Sequence, residues 1–166
     1  MTARRSRANE LANDAVSLLI GRGETIASAE SLTGGMLAGA LTSVPGASAA
    51  FRGGIVAYAT DVKAAILGVP DDLLERHGAV HPAVAEAMAE GARARLETTV
   101  GISTTGVAGP DPAEGKPVGM VFISVAGPGG TVTRELALTG DRHTIRKGTV
   151  ESALDLLIGT LREDIS

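Results

Sequence analysis

Ser31 lies in the segment Ala29-Glu30-Ser31-Leu32-Thr33-Gly34-Gly35, between a run of small residues and a stretch of helical character. Taken alone it reads first as a helix N-cap, since serine is among the best residues for accepting from a helix's free N–H groups. The same place suits a nucleophile. Unpaired amides and the helix dipole stabilise the negative charge that develops in acyl transfer. Gly34 and Gly35 would let a substrate approach the backbone closely. A hydroxyl nucleophile needs a base, and His77, His81 and His143 offer no obvious one. The lysines are Lys63, Lys116 and Lys147. Lysine becomes a base when burial or nearby positive charge lowers its pKa. Lys63 follows Tyr58, the only tyrosine, where a strand end meets a helix start. Ser31, Lys63 and Tyr58 would then be nucleophile, amine base and proton-relaying phenol. The plainer alternative is an interfacial tyrosine and a solvated lysine.

Two other segments carry polar groups that chemistry can use. Thr104-Thr105-Gly106-Val107-Ala108-Gly109-Pro110 joins a strand end to a loop of small residues. Exposed amides in such turns bind anions, and threonine hydroxyls orient substrates; a simple strand-ending turn has the same composition. Asp141-Arg142-His143 precedes the last helix, with Arg146 one turn beyond Arg142. Arg142 is suited to a carboxylate or phosphate held in bidentate fashion, or Asp141 is an N-cap with solvated basic neighbours. Asp71, Asp72 and Glu75 read as the first turn of a helix, where carboxylates complement the dipole.

The elements that must position these residues follow from periodicity. Leu11, Ala15, Leu18 and Leu19 form one helical stripe, stopped at Gly21-Arg22-Gly23. Thr25 to Ala29 predicts a short strand of small residues, buried on both faces. A helix is expected to begin just after Ser31 and to run to Pro45-Gly46. Phe51 to Tyr58 predicts a second strand, and Val62 to Leu67 a short helix ended by Gly68 with Pro70 beyond. Pro82 fits the first position of a helix with Val84, Met88, Ala92 and Leu96 on one face. Ile102 to Gly106 predicts a third strand. Val118 to Val125 and Thr131 to Leu138 predict a hairpin across Gly127-Pro128-Gly129-Gly130. Val150, Ala153, Leu154, Leu157, Ile158 and Leu161 mark the last helix. Strands separated by helices and then an antiparallel pair give an α/β class with a mixed sheet covered on both faces.

Composition sets limits. The chain has 166 residues, 44% hydrophobic and 20% charged, which fits one globular domain. Residues 1–7 are expected to be a flexible, solvated N-terminus, and residues 8–164 a single domain. A net charge of −4 argues against a general nucleic-acid surface. The absence of cysteine excludes disulfides, thiol catalysis and thiolate metal sites. No metal and no cofactor are expected. No apolar run reaches membrane-spanning length, and the basic start lacks the apolar core of a signal peptide, so a cytoplasmic protein without membrane partners is expected.

Taken in order, several segments resemble the CinA carboxy-terminal domain family of competence/damage-inducible proteins. They are Ala29-Glu30-Ser31-Leu32-Thr33-Gly34-Gly35, Tyr58 with Lys63, Leu67-Gly68-Val69, Thr105-Gly106-Val107-Ala108-Gly109-Pro110, Lys116-Pro117-Val118-Gly119 and Gly140-Asp141-Arg142. The resemblance runs from about Leu11 to Leu161. It implies a three-layer α/β/α domain whose mixed sheet includes the C-terminal antiparallel hairpin. It implies an amidohydrolase that converts nicotinamide mononucleotide to nicotinate mononucleotide and ammonia without metal. On that basis Ser31 is the nucleophile, Lys63 its base and Tyr58 a proton-relay partner, with Thr105 assisting at the carboxamide. Thr33, Gly34, Gly35, Gly106, Ala108, Gly109 and Arg142 become the substrate-binding set, Arg142 and the glycine-rich loops holding the ribose phosphate. The resemblance also implies a homodimer. Leu32 stands where many members carry cysteine, and the loop from Asp111 to Gly115 is shorter than in many relatives. The alternatives are a non-catalytic module that binds a nucleotide or partner, and an amidase for another pyridine or nucleoside.

Overall fold

The computed structural model describes residues 4–163. Five strands form one open sheet: β1 (Ile26–Glu30), β2 (Phe51–Val56), β3 (Val100–Gly106), β4 (Met120–Gly127) and β5 (Gly130–Ala137), in the order β2-β1-β3-β4-β5. β1 pairs in parallel with both β2 and β3, whereas β4 runs antiparallel to both β3 and β5. The hairpin turn is Pro128-Gly129, as the glycine-rich connection predicts. The expected α/β fold with a mixed sheet is therefore the observed one.

Among the described residues six α-helices cover the sheet: α1 (Arg7–Arg22), α2 (Met36–Thr42), α3 (Thr60–Leu67), α4 (Asp71–His77), α5 (Pro82–Arg95) and α6 (Arg142–Glu163). α1 begins after Ser6, whose hydroxyl accepts from the Asn9 amide. Of the segment 1–7, residues 1–3 lie outside the described residues, as does residue 164. Leu11, Val16 and Leu19 of α1 and Leu154, Leu157 and Leu161 of α6 pack with α2 against Ile26, Ile102 and Ile123. The opposite layer is built on smaller residues. Ala27, Ala29 and Ala57 meet Leu67 of α3, Val69 just beyond it, Leu74 of α4, and Val84, Met88 and Ala92 of α5. Alternation along β1 sends Ile26 to one layer and Ala27 and Ala29 to the other, so all five of its residues are buried.

Small side chains allow α5 to lie close to the sheet and to α3. A Cβ at Gly101 would collide with the Ala89 carbonyl of α5, and a Cβ at Gly91 with the Leu67 carbonyl at the end of α3. The close approach fixes α3, and α3 carries Lys63.

One element differs from its expectation. The helix after β1 begins at Met36 and not directly after Ser31. Gly34 and Gly35 adopt φ of 54° and 106°, so residues 31–35 form a turn that a right-handed helix cannot enter. The amides at the start of α2 are capped from a distance: the Glu30 carboxylate accepts from Leu37 N at 2.8 Å and Ala38 N at 3.1 Å.

Candidate active site

The C-terminal ends of β1, β2 and β3 open into a cleft of about 210 Å³. Open α/β sheets bind ligands at this end of their parallel strands. Ser31, Lys63, Tyr58, Thr105, Gly106, Ala108 and Arg142 all line it, together with Leu32, Thr60, Ala79, Val80 and Glu114.

Strand register brings Ser31 and Lys63 together. The Ser31 amide donates to the Thr104 carbonyl, which continues the β1–β3 ladder one step past Glu30. The Ala57 amide donates to the Glu30 carbonyl and so extends β2 beside it. The chain then turns into α3, and Lys63 in its first turn reaches back. Lys63 Nζ lies 2.9 Å from Ser31 Oγ, 2.7 Å from the Ala57 carbonyl and 3.1 Å from the Tyr58 carbonyl. Its side chain is 1% exposed. Burial lowers its pKa to about 8, against a smaller raising influence from Glu114. Among the described residues no carboxylate lies within ion-pair distance of it. A neutral amine fits the three contacts well. Its two N–H groups donate to the two carbonyls, and its lone pair receives the Ser31 proton.

Ser31 itself is held by its neighbours. Glu30, also 1% exposed, accepts from the Thr33 hydroxyl at 2.6 Å while capping α2. Thr33 Oγ1 lies 2.8 Å from Thr104 Oγ1. Arg146 of α6 donates to the Leu32 carbonyl at 2.9 Å and the Thr33 carbonyl at 3.4 Å. The α2 amides at Leu37 and Ala38 are consumed by Glu30, and the Gly34 amide by the Ser31 carbonyl. This alters the expected oxyanion site. Among the described residues, the amides of Leu32, Thr33 and Gly35 have no hydrogen-bond acceptor in the turn, and of these three residues Leu32 lines the cleft.

The other expected site residues fall into two groups. Thr33, Gly34 and Gly35 do not line the cleft; Thr33 is fully buried in the Glu30 network, and the glycines shape the turn behind Ser31. Gly109 also lies outside the lining and gives its carbonyl to Arg142 at 2.7 Å. The Tyr58 side chain is 60% exposed, and its hydroxyl accepts from Arg142 at 3.1 Å. The tyrosine contact to Lys63 thus runs through its backbone carbonyl and not its phenol. Thr105 Oγ1 donates to the Ala79 carbonyl at 2.8 Å. Asp141 caps α6 through the Thr144 amide, and that bond lowers its pKa, so capping at Asp141 and a cleft position for Arg142 coexist.

Two residues escaped the sequence reading. Glu30 is the buried cap behind Ser31. Glu114, on the loop after β3, enters the cleft and accepts from Ala79 N at 3.0 Å and Val80 N at 3.3 Å. Lys116 completes the attachment of that loop by donating to the carbonyls of His77 and Val80. His77 and His81 stack at this edge, and burial with the charges of His77 and Lys116 lowers the His81 pKa. Among the described residues, no group of three or more His, Cys, Asp or Glu side chains is placed to hold a metal ion. No described helix is long and apolar enough to cross a membrane.

The model of the CinA C-terminal domain matches residues 8–161. The chain belongs to the CinA C-terminal domain family. A CinA-like protein of Frankia casuarinae is 61% identical over 142 residues, covering 86% of this chain and 33% of that protein. A putative competence-damage inducible protein of Desulforamulus reducens is 50% identical over 84% of this chain and 34% of its own length. The chain thus spans about a third of the length of these CinA relatives. Solved CinA structures share its fold across nearly the whole chain. The competence/damage inducible protein of Agrobacterium tumefaciens superposes with a TM-score of 0.91 at 36% identity, covering 98% of this chain and 99% of that one. A CinA superfamily protein of Enterobacter cloacae gives 0.91 at 30% identity, covering 97% and 96%.

Proposed function

We propose that this CinA domain is a serine amidohydrolase that deamidates nicotinamide mononucleotide to nicotinate mononucleotide and ammonia. The observation that carries the reading is the buried Lys63 amine, 2.9 Å from the Ser31 hydroxyl with its other contacts both to carbonyl oxygens. A purely binding module has no use for a desolvated amine aimed at a serine.

In the proposed reaction neutral Lys63 takes the Ser31 proton as Oγ attacks the carboxamide carbon. The Leu32 amide, directly after Ser31 in the cleft wall, receives the developing oxyanion. The Lys63 ammonium returns the proton to the departing nitrogen, and ammonia leaves. Water, deprotonated by the same amine, then hydrolyses the acyl-enzyme. Arg142, held by Gly109 and Tyr58, supports a phosphate at the mouth of the cleft. Its neighbour Tyr58 becomes a residue of the mouth in this scheme, and its phenol takes no part in proton transfer.

The test is ammonia release from nicotinamide mononucleotide by the purified protein, beside Ser31→Ala and Lys63→Ala variants whose folding is checked by circular dichroism. Each variant is expected to lose on the order of 10³-fold or more in kcat. Tight binding without turnover by the unmodified protein would favour the binding-module reading instead.

A further inference from the structure

The charged groups of the cleft are unevenly distributed. Its titratable lining side chains are Tyr58, Lys63, Glu114 and Arg142, so Glu114 supplies the one carboxylate among the described lining residues. Arg142 is fixed between Gly109 and Tyr58, and Glu114 against the turn at residues 78–80. No ion pair joins Glu114 to Arg142, Lys63 or Lys116 among the described residues.

Glu114 is also held in one place. It sits at φ 54° and is followed by Gly115 at φ 72°, and the loop closes through an Ala113–Lys116 bridge. A Cβ at Gly78 would fall 2.6 Å from its carboxylate, so the bare backbone there admits it. The Glu114 carboxylate works against the proposed base, because its charge favours the ammonium form of Lys63. A cation bound beside Glu114 reverses that influence: it offsets the carboxylate and disfavours a second positive charge on Lys63.

We infer that Glu114 is a specificity-determining residue whose carboxylate recognises a positive charge on the ring bearing the reacting carboxamide. The cleft then selects pyridinium amides over neutral-ring amides of the same shape. The inference rests on the proposed deamidase reading, since nicotinamide mononucleotide carries a cationic ring and an anionic phosphate. Those two charges match Glu114 and Arg142, which stand apart and do not neutralise each other.

The probes are nicotinamide mononucleotide and its dihydro form, which keeps the carboxamide, ribose and phosphate but has no ring charge. Calorimetric titration of Ser31→Ala protein, with and without Glu114→Gln, gives the affinity ratio of the two ligands. The ratio is expected to fall about tenfold in the Glu114→Gln background, nearly all through the cationic ligand. Glu114→Asp, which keeps the charge, is expected to retain most of the preference even where both affinities drop. An unchanged ratio, or parallel weakening of both ligands, would overturn the inference and leave Glu114 as a loop anchor. Loss of the preference in Glu114→Asp as complete as in Glu114→Gln would overturn it too. Ammonia release by the unmodified protein is scored separately. A ring-charge preference without deamidation would sink the proposed reaction alone; deamidation without a Glu114-dependent preference would sink this inference alone.

Discussion

Two adjacent parallel strands end in strand-to-helix junctions, and each buries one charged residue. At the end of β1 that residue is Glu30; after β2 it is Lys63, and both are 1% exposed. Glu30 receives one hydroxyl and two amides at the start of α2, where the helix dipole favours an anion. Lys63 faces carbonyl and hydroxyl oxygens from the first turn of α3, where the same dipole disfavours a cation. One buried charge is fully matched and acts as scaffold. The other has only neutral oxygens within hydrogen-bond distance, and burial lowers its pKa to about 8. The contrast shows how one sheet edge provides both a rigid turn and a reactive amine: the difference lies in what the second junction leaves unmatched.

The contrast can be broken at several points. The largest expected effect is at Lys63, where arginine should not rescue activity. Its guanidinium stays protonated and cannot accept the Ser31 proton, so Lys63→Arg is expected to match Lys63→Ala in kcat. Turnover above a tenth of the unmodified rate would show that charge, and not basicity, is what this position supplies.

Glu30→Gln should come next. An amide nitrogen would face N–H donors that the carboxylate now accepts from, at a cost of about 2–4 kcal/mol in urea unfolding. Because the turn also holds Ser31, kcat should fall about ten- to a hundredfold with KM much less affected. Unchanged stability would remove the scaffold half of the comparison.

The Lys63 pKa gives a pH dependence with a defined sign. In the proposed reaction the neutral amine is the base, so kcat/KM should rise as pH climbs through about 8 and then level. Stability follows the same direction. Between about 8 and the ordinary 10.5 the unfolded chain binds more protons at this residue than the folded one, so folding is favoured as pH rises. Relative to Lys63→Met, the protein should gain about 3 kcal/mol across that interval. A difference independent of pH would contradict the lowered pKa.

Two helical glycines provide the finest contrast. Gly91→Ala drives a methyl group into the Leu67 carbonyl and should destabilise by about 2 kcal/mol or more, disturbing α3 and with it Lys63. Gly39 in α2 has nothing near its Cβ position, and Gly39→Ala should stabilise by up to about 1 kcal/mol. Equal effects at the two sites would mean that α5 and α3 do not need their close approach.

Much of this arrangement was legible in the sequence, for identifiable reasons. The stripe in α6 and the glycine-rich hairpin are local signals, and local signals survive into the fold. The small residues of β1 foretold a strand buried on both sides. Ser31 and Lys63 were readable as a pair chiefly through the resemblance, since nothing in their separation alone says that two strand ends meet. Glu30 was not legible, because it caps amides seven and eight positions ahead, beyond the three-residue reach of a capping box. Its consequence, a helix that begins at Met36, was missed with it. Glu114 was hidden for a related reason: its partners at Ala79 and Val80 are 34 to 35 residues away, brought in only by the loop after β3. The five-residue spacing of Tyr58 and Lys63 does not say which way the tyrosine side chain points, and it lies 60% exposed at the mouth of the cleft. There Arg142 meets it.

The most direct test of the central claim is the mass of the intact protein after a rapid acid quench during turnover of nicotinamide mononucleotide. The account predicts a covalent acyl adduct that fragmentation places on Ser31, absent in Ser31→Ala and in Lys63→Ala. Undiminished ammonia release by Ser31→Ala, with no adduct on the unmodified protein, would contradict it.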